Sequence, residues 1–151
     1  MLRLQRTDAT DKDFIALVSL LDAELTVRDG DDHDFYHQFN AIDGYNYCMV
    51  GYQDEQAAGC GAIKPFDQST VEIKRMYTHQ SFRGRGIAIA ILAALEAWAK
   101  ELNYSYCILE TGINQPEAIA LYQKCGYERI PNFGQYANIE NSFCFRKKLI
   151  S

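Results

Sequence analysis

A short turn at residues 83–86 combines the residue types that bind phosphate groups. It reads Arg83-Gly84-Arg85-Gly86 and lies between an extended segment, Val71 to Thr78, and a helical pattern that begins at Ile87. Glycine has no Cβ, so its backbone can approach a ligand closely. The first amides of a helix have no partners inside the helix and point outward with the positive end of its dipole. Together with the two guanidinium groups, these features predict a phosphate or pyrophosphate site.

Two common nucleotide motifs do not fit this turn. A P-loop requires Gly-x-x-x-x-Gly-Lys-Ser/Thr, and the sequence contains no such run. A Rossmann fingerprint requires Gly or Ala three residues after Gly86, where Ile89 stands. The turn is therefore predicted to be an anion site of another kind.

The turn connects a strand to a long amphipathic helix. Strand alternation predicts Val71, Ile73, Arg75 and Tyr77 on one face and Glu72, Lys74, Met76 and Thr78 on the other. In the helix, apolar residues recur at helical spacing at Ile91, Leu95, Trp98 and Leu102. Both faces of the strand therefore carry side chains that can do chemistry beside the anion site.

A second motif follows the next predicted strand. It reads Asn-x-x-x-Ala-Ile-x-Leu-Tyr-x-x-x-Gly-Tyr from Asn114 to Tyr127. Asn114 and Glu117 are spaced as in a capping box, Pro116 fits a first helical turn, and a helix ends naturally at glycine. Taken alone, this motif predicts a capped helix with Tyr122 as a core aromatic residue.

In both motifs the sequence resembles the GNAT superfamily of acetyl-CoA-dependent N-acetyltransferases. The turn matches Arg/Gln-x-x-Gly-x-Gly/Ala, with Arg83, Gly86 and Ala88 in the defining places. The resemblance covers most of the chain from Met1 to Leu149 and is weakest over residues 33–44 and 131–141. It implies that acetyl-CoA is the co-substrate and that the turn wraps its pyrophosphate. The implied cofactor residues are Met76, Tyr77, Thr78, Arg83, Gly84, Arg85, Gly86, Ile87, Ala88 and Asn114.

The resemblance also implies individual roles. Met76, Tyr77 and Thr78 are expected to contact the pantetheine arm through their backbone and to polarise the acetyl carbonyl. Asn114 is expected to form a hydrogen bond with the pantetheine. Tyr122 is expected near the thioester sulfur as a general acid, because a phenol with a pKa of about 10 can donate a proton to a departing thiolate.

Two carboxylates are candidates for the base that deprotonates the attacking amine. Glu72 belongs to the central strand, and Glu110 belongs to the strand after the long helix. Glu72 can instead form an ion pair with Lys74 or Arg75, and Glu110 can instead be a buried structural acceptor. The sequence leaves these alternatives open.

Aromatic residues in the segments that resemble the family least are candidates for the acceptor pocket. They are Phe35, Tyr36, Phe39, Phe133 and Tyr136. Such clusters are also typical of a core. Residues 33–41 are predicted to form a short helix in which His33 and His37 share a face. Since no third ligand stands at metal-binding spacing, we expect a solvated helix start there and no metal.

Composition and charge restrict the partners. The chain has 151 residues, a net charge of −5 and five scattered cysteines, and we expect a single domain over residues 1–151. An acidic chain is a poor partner for nucleic acid or an anionic membrane and weakly favours a cationic small molecule. With no signal peptide and no apolar run long enough to span a bilayer, we expect a cytoplasmic protein with reduced, buried thiols.

The order of predicted elements indicates an α/β (α+β) fold. A first strand is followed by a helix for which Thr7 or Asp8 and Asp11 are candidate caps, and the apolar stripe of this helix is Phe14, Leu17, Val18, Leu21 and Leu25. Further strands are expected over Tyr45–Tyr52, Ala57–Phe66, Tyr104–Thr111 and Tyr127–Ile130, and Gly59 and Gly61 indicate a bulge or close packing. An antiparallel meander thus comes first, followed by strand-helix-strand-helix-strand. This order predicts a mixed, mostly antiparallel sheet of about seven strands flanked by about four helices, similar to the GNAT fold. An exposed strand near the C-terminus is compatible with a homodimer.

The expected function is transfer of an acetyl group from acetyl-CoA to a primary amine of a small molecule. Direct attack in a ternary complex needs no enzyme nucleophile. Two alternatives remain open at this point. One is a non-catalytic acyl-CoA-binding or regulatory module, and the other is an enzyme that acetylates protein or peptide amines.

Overall fold

A computed structural model describes residues 1–29 and 44–149, and the elements follow one another in the predicted order. The strands are β1 (Leu2–Thr7), β2 (Tyr47–Gln53), β3 (Gln56–Pro65), β4 (Thr70–Thr78), β5 (Tyr106–Gly112), β6 (Glu128–Ile130) and β7 (Ser142–Lys148). The helices are α1 (Lys12–Asp29), α2 (Ile87–Glu101) and α3 (Pro116–Lys124). Short 3-10 turns span Gln80–Phe82 and Gly134–Tyr136.

The strands form one sheet in the order β1-β2-β3-β4-β5-β7-β6. Each neighbouring pair is antiparallel except β4 and β5, which run parallel. The prediction of a mixed, mostly antiparallel sheet of seven strands is therefore confirmed. Within residues 1–29 and 44–149 there are three α-helices rather than about four. The remaining predicted helix, over residues 33–41 with His33 and His37, lies outside the described residues.

Helix α1 covers one face of the sheet. Asp11 caps its first turn, because the Asp11 Oδ1 accepts hydrogen bonds from the amides of Asp13 and Phe14 at 2.9 and 3.0 Å. The predicted apolar stripe is confirmed, since Phe14, Leu17, Val18 and Leu21 are buried. These side chains pack against Val50, Cys60 and Tyr77 of the sheet.

Helix α2 covers the opposite face. Its buried residues are Ile87, Ile91, Leu92, Leu95 and Ala99, which share a core with Val71, Ile73 and Leu109. Two glycines of β3 allow the helix to lie close to the sheet. A Cβ on Gly59 would stand 3.0 Å from the Cδ1 of Ile91 and 3.1 Å from the Cγ2 of Ile87, and one on Gly61 would stand 2.9 Å from the Cδ1 of Leu95. The predicted close packing at these glycines is confirmed.

The predicted alternation along β4 is wrong after Lys74. Arg75 has a left-handed backbone with φ of 59°, and the pairing of β3 with β4 shifts between Cys60 and Ala62. This β-bulge adds one residue to β4 and so changes the face on which the following side chains lie. Arg75 and Tyr77 therefore lie on the α1 side, opposite Val71 and Ile73. There the Arg75 Nη2 donates to the Oδ1 of Asp22 at 2.6 Å.

Smaller differences concern element ends. Strands β2, β5 and β6 begin at Tyr47, Tyr106 and Glu128, one or two residues later than the sequence pattern suggests. The N-cap of α3 is Gln115, without a side-chain cap bond, so the predicted capping box at Asn114 is wrong.

The thiol prediction is confirmed. All five cysteines are unbridged, and each is buried except the half-buried Cys125. Within residues 1–29 and 44–149, no helix has the length and apolar character needed to cross a membrane.

Candidate active site

A cleft opens where β4 and β5 separate. The two strands pair only over Thr70–Glu72 and Tyr106–Ile108, although β4 continues to Thr78 and β5 to Gly112. Two adjoining cavities occupy this region. The turn cavity is bordered by Arg83, Gly84 and Gly86, and the carboxylate cavity is bordered by Glu72 and Glu110. Five residues line both cavities and so form a shared wall: Leu21, Met76, Gln115, Ala118 and Tyr122.

The turn cavity contains the predicted anion site. Gly84 and Gly86 have φ of 81° and 76°, and a Cβ at either position would meet no atom within 4 Å. Both glycines therefore leave open space where a side chain would stand. Gly86 is the N-cap of α2, no side chain caps this end, and the first turn contains no acidic residue. The positive end of the helix is thus available to an anion, as a pyrophosphate requires.

The two arginines of the turn are placed differently. The Arg83 Nε donates to the carbonyl oxygen of Thr78 at 2.9 Å, and the Arg83 Nη2 donates to the Oε2 of Glu24 at 2.7 Å. The hydrogen bond with Glu24 raises the pKa of Arg83. Arg83 therefore ties α1 to the end of β4, whereas Arg85 is exposed and lies over the Phe82 ring at 5.4 Å. Arg83 lines the turn cavity, whereas Arg85 lines neither cavity.

One edge of β4 borders the gap. Beyond Glu72 this edge is not paired with β5, and Met76, Tyr77 and Thr78 line the turn cavity beside it. An extended ligand that contains amides can pair with such an edge as an added strand does. Ile87 and Ala88 also line the turn cavity, and because the Ile87 side chain is buried, this residue can offer only its backbone.

Tyr122 lies at the junction of the two cavities. It is 6% exposed, and its ring packs edge-on against Tyr127 with 5.8 Å between the centroids. Burial raises the pKa of the Tyr122 hydroxyl, and the nearby Cys125 and Glu110 raise it further. The phenol therefore remains protonated at neutral pH and can donate a hydrogen bond into the cleft.

The carboxylate cavity brings both candidate bases to one wall. Glu72 and Glu110 line it together with Lys74. Glu72 is 8% exposed, and its Oε2 lies 3.7 Å from the Lys74 Nζ. Burial raises the pKa of Glu72, while the positive charge of Lys74 lowers it. Lys74 and Arg75 were the two expected ion-pair partners of Glu72. The structure shows the ion pair of Glu72 with Lys74, whereas Arg75 forms its ion pair with Asp22 of α1.

Of the aromatic candidates for the acceptor pocket, one lines the carboxylate cavity and one does not. Tyr136 is buried and lines the carboxylate cavity. Phe133 lines neither of the two cavities; its ring packs edge-on against Tyr136 at 5.8 Å and Phe66 at 5.4 Å. Phe133 therefore supports Tyr136. Phe35, Tyr36 and Phe39 lie outside the described residues.

Several lining residues are not among the sequence candidates, and four of them bear on the site. Leu21 and Leu25 belong to the apolar stripe of α1, yet they also line the carboxylate cavity. Glu24 lies on the same helix and borders the turn cavity. Gln115 lines both cavities, whereas the predicted Asn114 lines neither. Gln115 lies in the predicted turn before α3, so its sequence position indicated a place near the cleft. No sequence pattern indicated that residues of α1 border the cleft.

The fold and the cleft place the uncapped N-terminus of α2 beside a pocket that contains carboxylates. The chain belongs to the Acetyltransferase (GNAT) family, whose sequence model matches residues 14–127.

Individual relatives agree with this assignment. The uncharacterised N-acetyltransferase YjgM of Escherichia coli K12 is 32% identical over 112 residues, which are 72% of this chain and 66% of that protein. The IAA acetyltransferase of Azospirillum brasilense is 33% identical over 102 residues, or 67% of each chain.

Solved structures show the same fold. A Klebsiella pneumoniae protein assigned as an acyl-CoA N-acyltransferase superposes with a TM-score of 0.84 and 30% identity over 99% of both chains. A GNAT family acetyltransferase of Elizabethkingia anophelis with acetyl-CoA bound superposes with a TM-score of 0.69 and 20% identity over 98% of both chains. At that identity, the second likeness concerns the fold alone.

Proposed function

We propose that the chain, acting as a single domain over residues 1–151, transfers an acetyl group from acetyl-CoA to the primary amine of a small molecule. The observation that carries this proposal is that the turn cavity and the carboxylate cavity meet at Tyr122. An anion site, a strand edge and two carboxylates follow one another along the cleft. They correspond in order to the pyrophosphate, the pantetheine arm and the amine of a ternary complex.

The residues of the turn cavity fit acetyl-CoA chemically. The backbone amides of residues 84–88 and the Arg85 guanidinium would hold the pyrophosphate. The backbone of Met76, Tyr77 and Thr78 would hold the pantetheine, with Gln115 at the opposite wall and Asn114 next to it in the chain. When bound, acetyl-CoA supplies an activated thioester. The Elizabethkingia protein and the PaiA N-acetyltransferase of Thermoplasma acidophilum were solved with acetyl-CoA and coenzyme A bound, respectively, which supports this choice of co-substrate.

The proposed reaction needs a base, a group that polarises the acetyl carbonyl and a hydrogen-bond donor to the sulfur. Glu72 or Glu110 accepts a proton from the ammonium, directly or through a water molecule, so that the amine nitrogen can attack the acetyl carbon. Backbone groups of β4 polarise the carbonyl as its oxygen gains charge. Tyr122 donates a hydrogen bond to the sulfur as the C–S bond breaks, and the second proton lost by the nitrogen leaves with the thiolate.

A compact acceptor suits the carboxylate cavity. Leu21 and Leu25 of α1 close one side of it, and the buried Tyr136 closes another. This enclosure favours a small molecule over a protein chain. The cytoplasmic location, the absence of a metal and the homodimer stay predictions.

Thiol release in the presence of acetyl-CoA tests this proposal. The panel contains small amines, polyamines, amino acids and peptides, and the hydrolysis blank is subtracted. We expect steady release with at least one small amine. Calorimetric binding of acetyl-CoA without release by any acceptor would favour a non-catalytic module. Release with peptides alone would favour protein acetylation.

A further inference from the structure

Three side chains from different parts of the chain form a hydrogen-bonded network beside Tyr122. Tyr127 lies between α3 and β6, Glu96 belongs to α2, and Lys147 belongs to β7. The Tyr127 hydroxyl donates to the Oε2 of Glu96 at 2.8 Å, and the Lys147 Nζ donates to the Oε1 of the same carboxylate at 2.9 Å. Both oxygens of Glu96 thus bind a donor, and we call these three residues the tyrosine network.

The tyrosine network is largely shielded from water. Tyr127 is 3% exposed, and the side chains of Glu96 and Lys147 are 13% and 29% exposed. Burial raises the pKa of Tyr127, and the nearby Cys107 and Glu96 raise it further, so the hydroxyl keeps its proton and remains a donor. The Lys147 ammonium also lies over the Tyr127 ring, 5.7 Å from its centroid. A charge-assisted hydrogen bond and this ring contact therefore hold Tyr127 in one orientation.

Tyr127 in turn makes two contacts with Tyr122. Its backbone amide donates to the carbonyl oxygen of Tyr122 at 3.0 Å. The two rings pack edge-on at an interplanar angle of 67°, an arrangement that favours a defined orientation of both rings. The Tyr122 phenol is thus oriented by a residue whose own hydroxyl is bonded to α2.

The connection between α2 and Tyr122 matters because acetyl-CoA has to reach both. In the proposed complex its pyrophosphate lies at the N-terminus of α2, and its sulfur lies near Tyr122 of α3. The length of the pantetheine arm sets the distance between these two points, so α3 has to be held in a fixed position relative to α2. A misplacement of about 1 Å can lower a reaction rate by about 10²-fold.

We infer that Tyr127 is a positioning residue for acetyl transfer, and that its hydrogen bond to Glu96 holds the Tyr122 phenol toward the thioester sulfur. This inference rests on the proposed function. Tyr127, Glu96 and Lys147 are not among the described residues that border the two cavities, so they act through Tyr122 rather than on a ligand. A phenylalanine in place of Tyr127 would fill the same space, but it could not donate to Glu96.

A double-mutant cycle with Tyr122 tests this role. Tyr127→Phe removes the hydroxyl and keeps the ring, and the rate of the first turnover is measured at saturating acetyl-CoA with the fastest amine of the panel. We expect this rate to fall by about ten-fold when Tyr122 is present, but by less than about two-fold in the Tyr122→Phe background. The Kd for acetyl-CoA should stay within about three-fold in each variant. An equal fall in both backgrounds, or no fall in either, would overturn the inference while the acetyltransferase activity stands.

Tyr52→Phe is the matched control. The Tyr52 hydroxyl also donates to a carboxylate, the Oδ2 of Asp13, at 2.6 Å, and Tyr52 borders neither cavity. Its replacement removes a bond of the same kind outside the cleft, so the rate of the first turnover should stay unchanged.

Two variants of Glu96 keep the test valid if Tyr127→Phe proves unfolded in urea denaturation. In Glu96→Gln an amide oxygen can still accept the hydrogen bond of Tyr127, whereas Glu96→Leu offers no acceptor. Glu96→Gln should therefore retain at least about a third of the wild-type rate, and Glu96→Leu should lose about ten-fold. Equal rates in these two variants would show that the hydrogen bond does not position Tyr122.

The NMR signal of Tyr122 provides a measurement that needs no acceptor. In protein with carbon-13 at the tyrosine Cζ, this signal is identified by its loss in Tyr122→Phe. We expect one narrow signal in the wild type and a broadened or doubled signal in Tyr127→Phe, since the phenol is no longer held in one orientation. An unchanged signal would overturn the inference. Absence of thiol release with every amine of the panel would instead contradict the proposed function, and the NMR signal would still show whether Tyr127 fixes Tyr122.

Discussion

Tyr122 shows how burial changes the role of a single side chain. A phenol with an ordinary pKa of about 10 can pass its proton to a thiolate. Burial raises the pKa of Tyr122 above that value, so complete proton transfer becomes less favourable. A hydrogen bond from the neutral hydroxyl remains available at neutral pH and still stabilises charge that builds on sulfur.

Replacing Tyr122 with Phe should therefore impair turnover and leave binding intact. We expect kcat to fall by about 10²-fold, because the change removes one donor aimed at the developing charge. The Kd for acetyl-CoA, measured by calorimetry, should stay within about three-fold, since the ring and its packing are kept. Tyr104→Phe, a half-buried tyrosine outside the cleft, is the matched control. An unchanged kcat for Tyr122→Phe would refute the assigned role.

The pH dependence of kcat should identify the base. Burial raises the pKa of Glu72, so this carboxyl keeps its proton at higher pH than an ordinary glutamic acid. A protonated carboxyl cannot accept a proton from the amine, and activity should fall as pH decreases through the raised pKa. If Glu72 is the base, Glu72→Gln abolishes this acidic limb along with most of the rate.

Glu110→Gln is the comparison for that experiment. A limb that survives in Glu72→Gln but is lost in Glu110→Gln would transfer the role to Glu110. Profiles of kcat rather than kcat/KM should be compared, because kcat reports the groups that titrate in the ternary complex.

Among the elements, the glycine turn carries the most direct prediction. Gly86→Ala should raise the Kd for acetyl-CoA by about ten-fold or more, since a Cβ enters the space of the pyrophosphate and disfavours the left-handed φ. Gly44→Ala is a close control: Gly44 has φ of 84°, and a Cβ there also meets no atom within 4 Å. Equal loss of affinity in both variants would show that backbone strain, rather than the anion site, is responsible.

The packing of α2 on β3 gives a prediction about stability. Gly59→Ala should lower the free energy of unfolding by about 1–3 kcal/mol, because the new Cβ would stand 3.0 and 3.1 Å from the Ile91 and Ile87 side chains of α2. It would also stand 2.9 Å from the backbone oxygen of Tyr77 in β4, which cannot move away as a side chain can. Gly51→Ala should cost less, since its closest neighbours, at 3.3 Å, are methyl groups of Ile91 and Leu4 that can move. Urea denaturation of the two variants compares them. A larger loss in Gly51→Ala would contradict the description of this contact.

At the scale of the whole molecule, local patterns predicted the architecture well. The stripe of α1, the Asp11 cap and the strand order depend on short-range periodicity and capping, which are visible in one sequence. The turn before α2 was found in the same way, since its glycines are adjacent to a helix start.

Features that depend on tertiary contacts could not be predicted. The bulge at Arg75 places a non-glycine residue at positive φ, and the compensating ion pair comes from Asp22, far away in the chain. The ion pair between Arg83 and Glu24 joins residues 59 positions apart, so no local pattern indicates it. In both cases the deciding partner lies on α1.

The overall geometry depends on the separation of β4 and β5, which creates one continuous cleft beside the N-terminus of α2. Calorimetric titration of the wild-type chain with acetyl-CoA tests this claim most directly. We expect saturable binding of one acetyl-CoA per chain, weakened by Gly86→Ala and unaffected by Gly44→Ala. No heat of binding at millimolar acetyl-CoA, from protein that is shown to be folded, would contradict it.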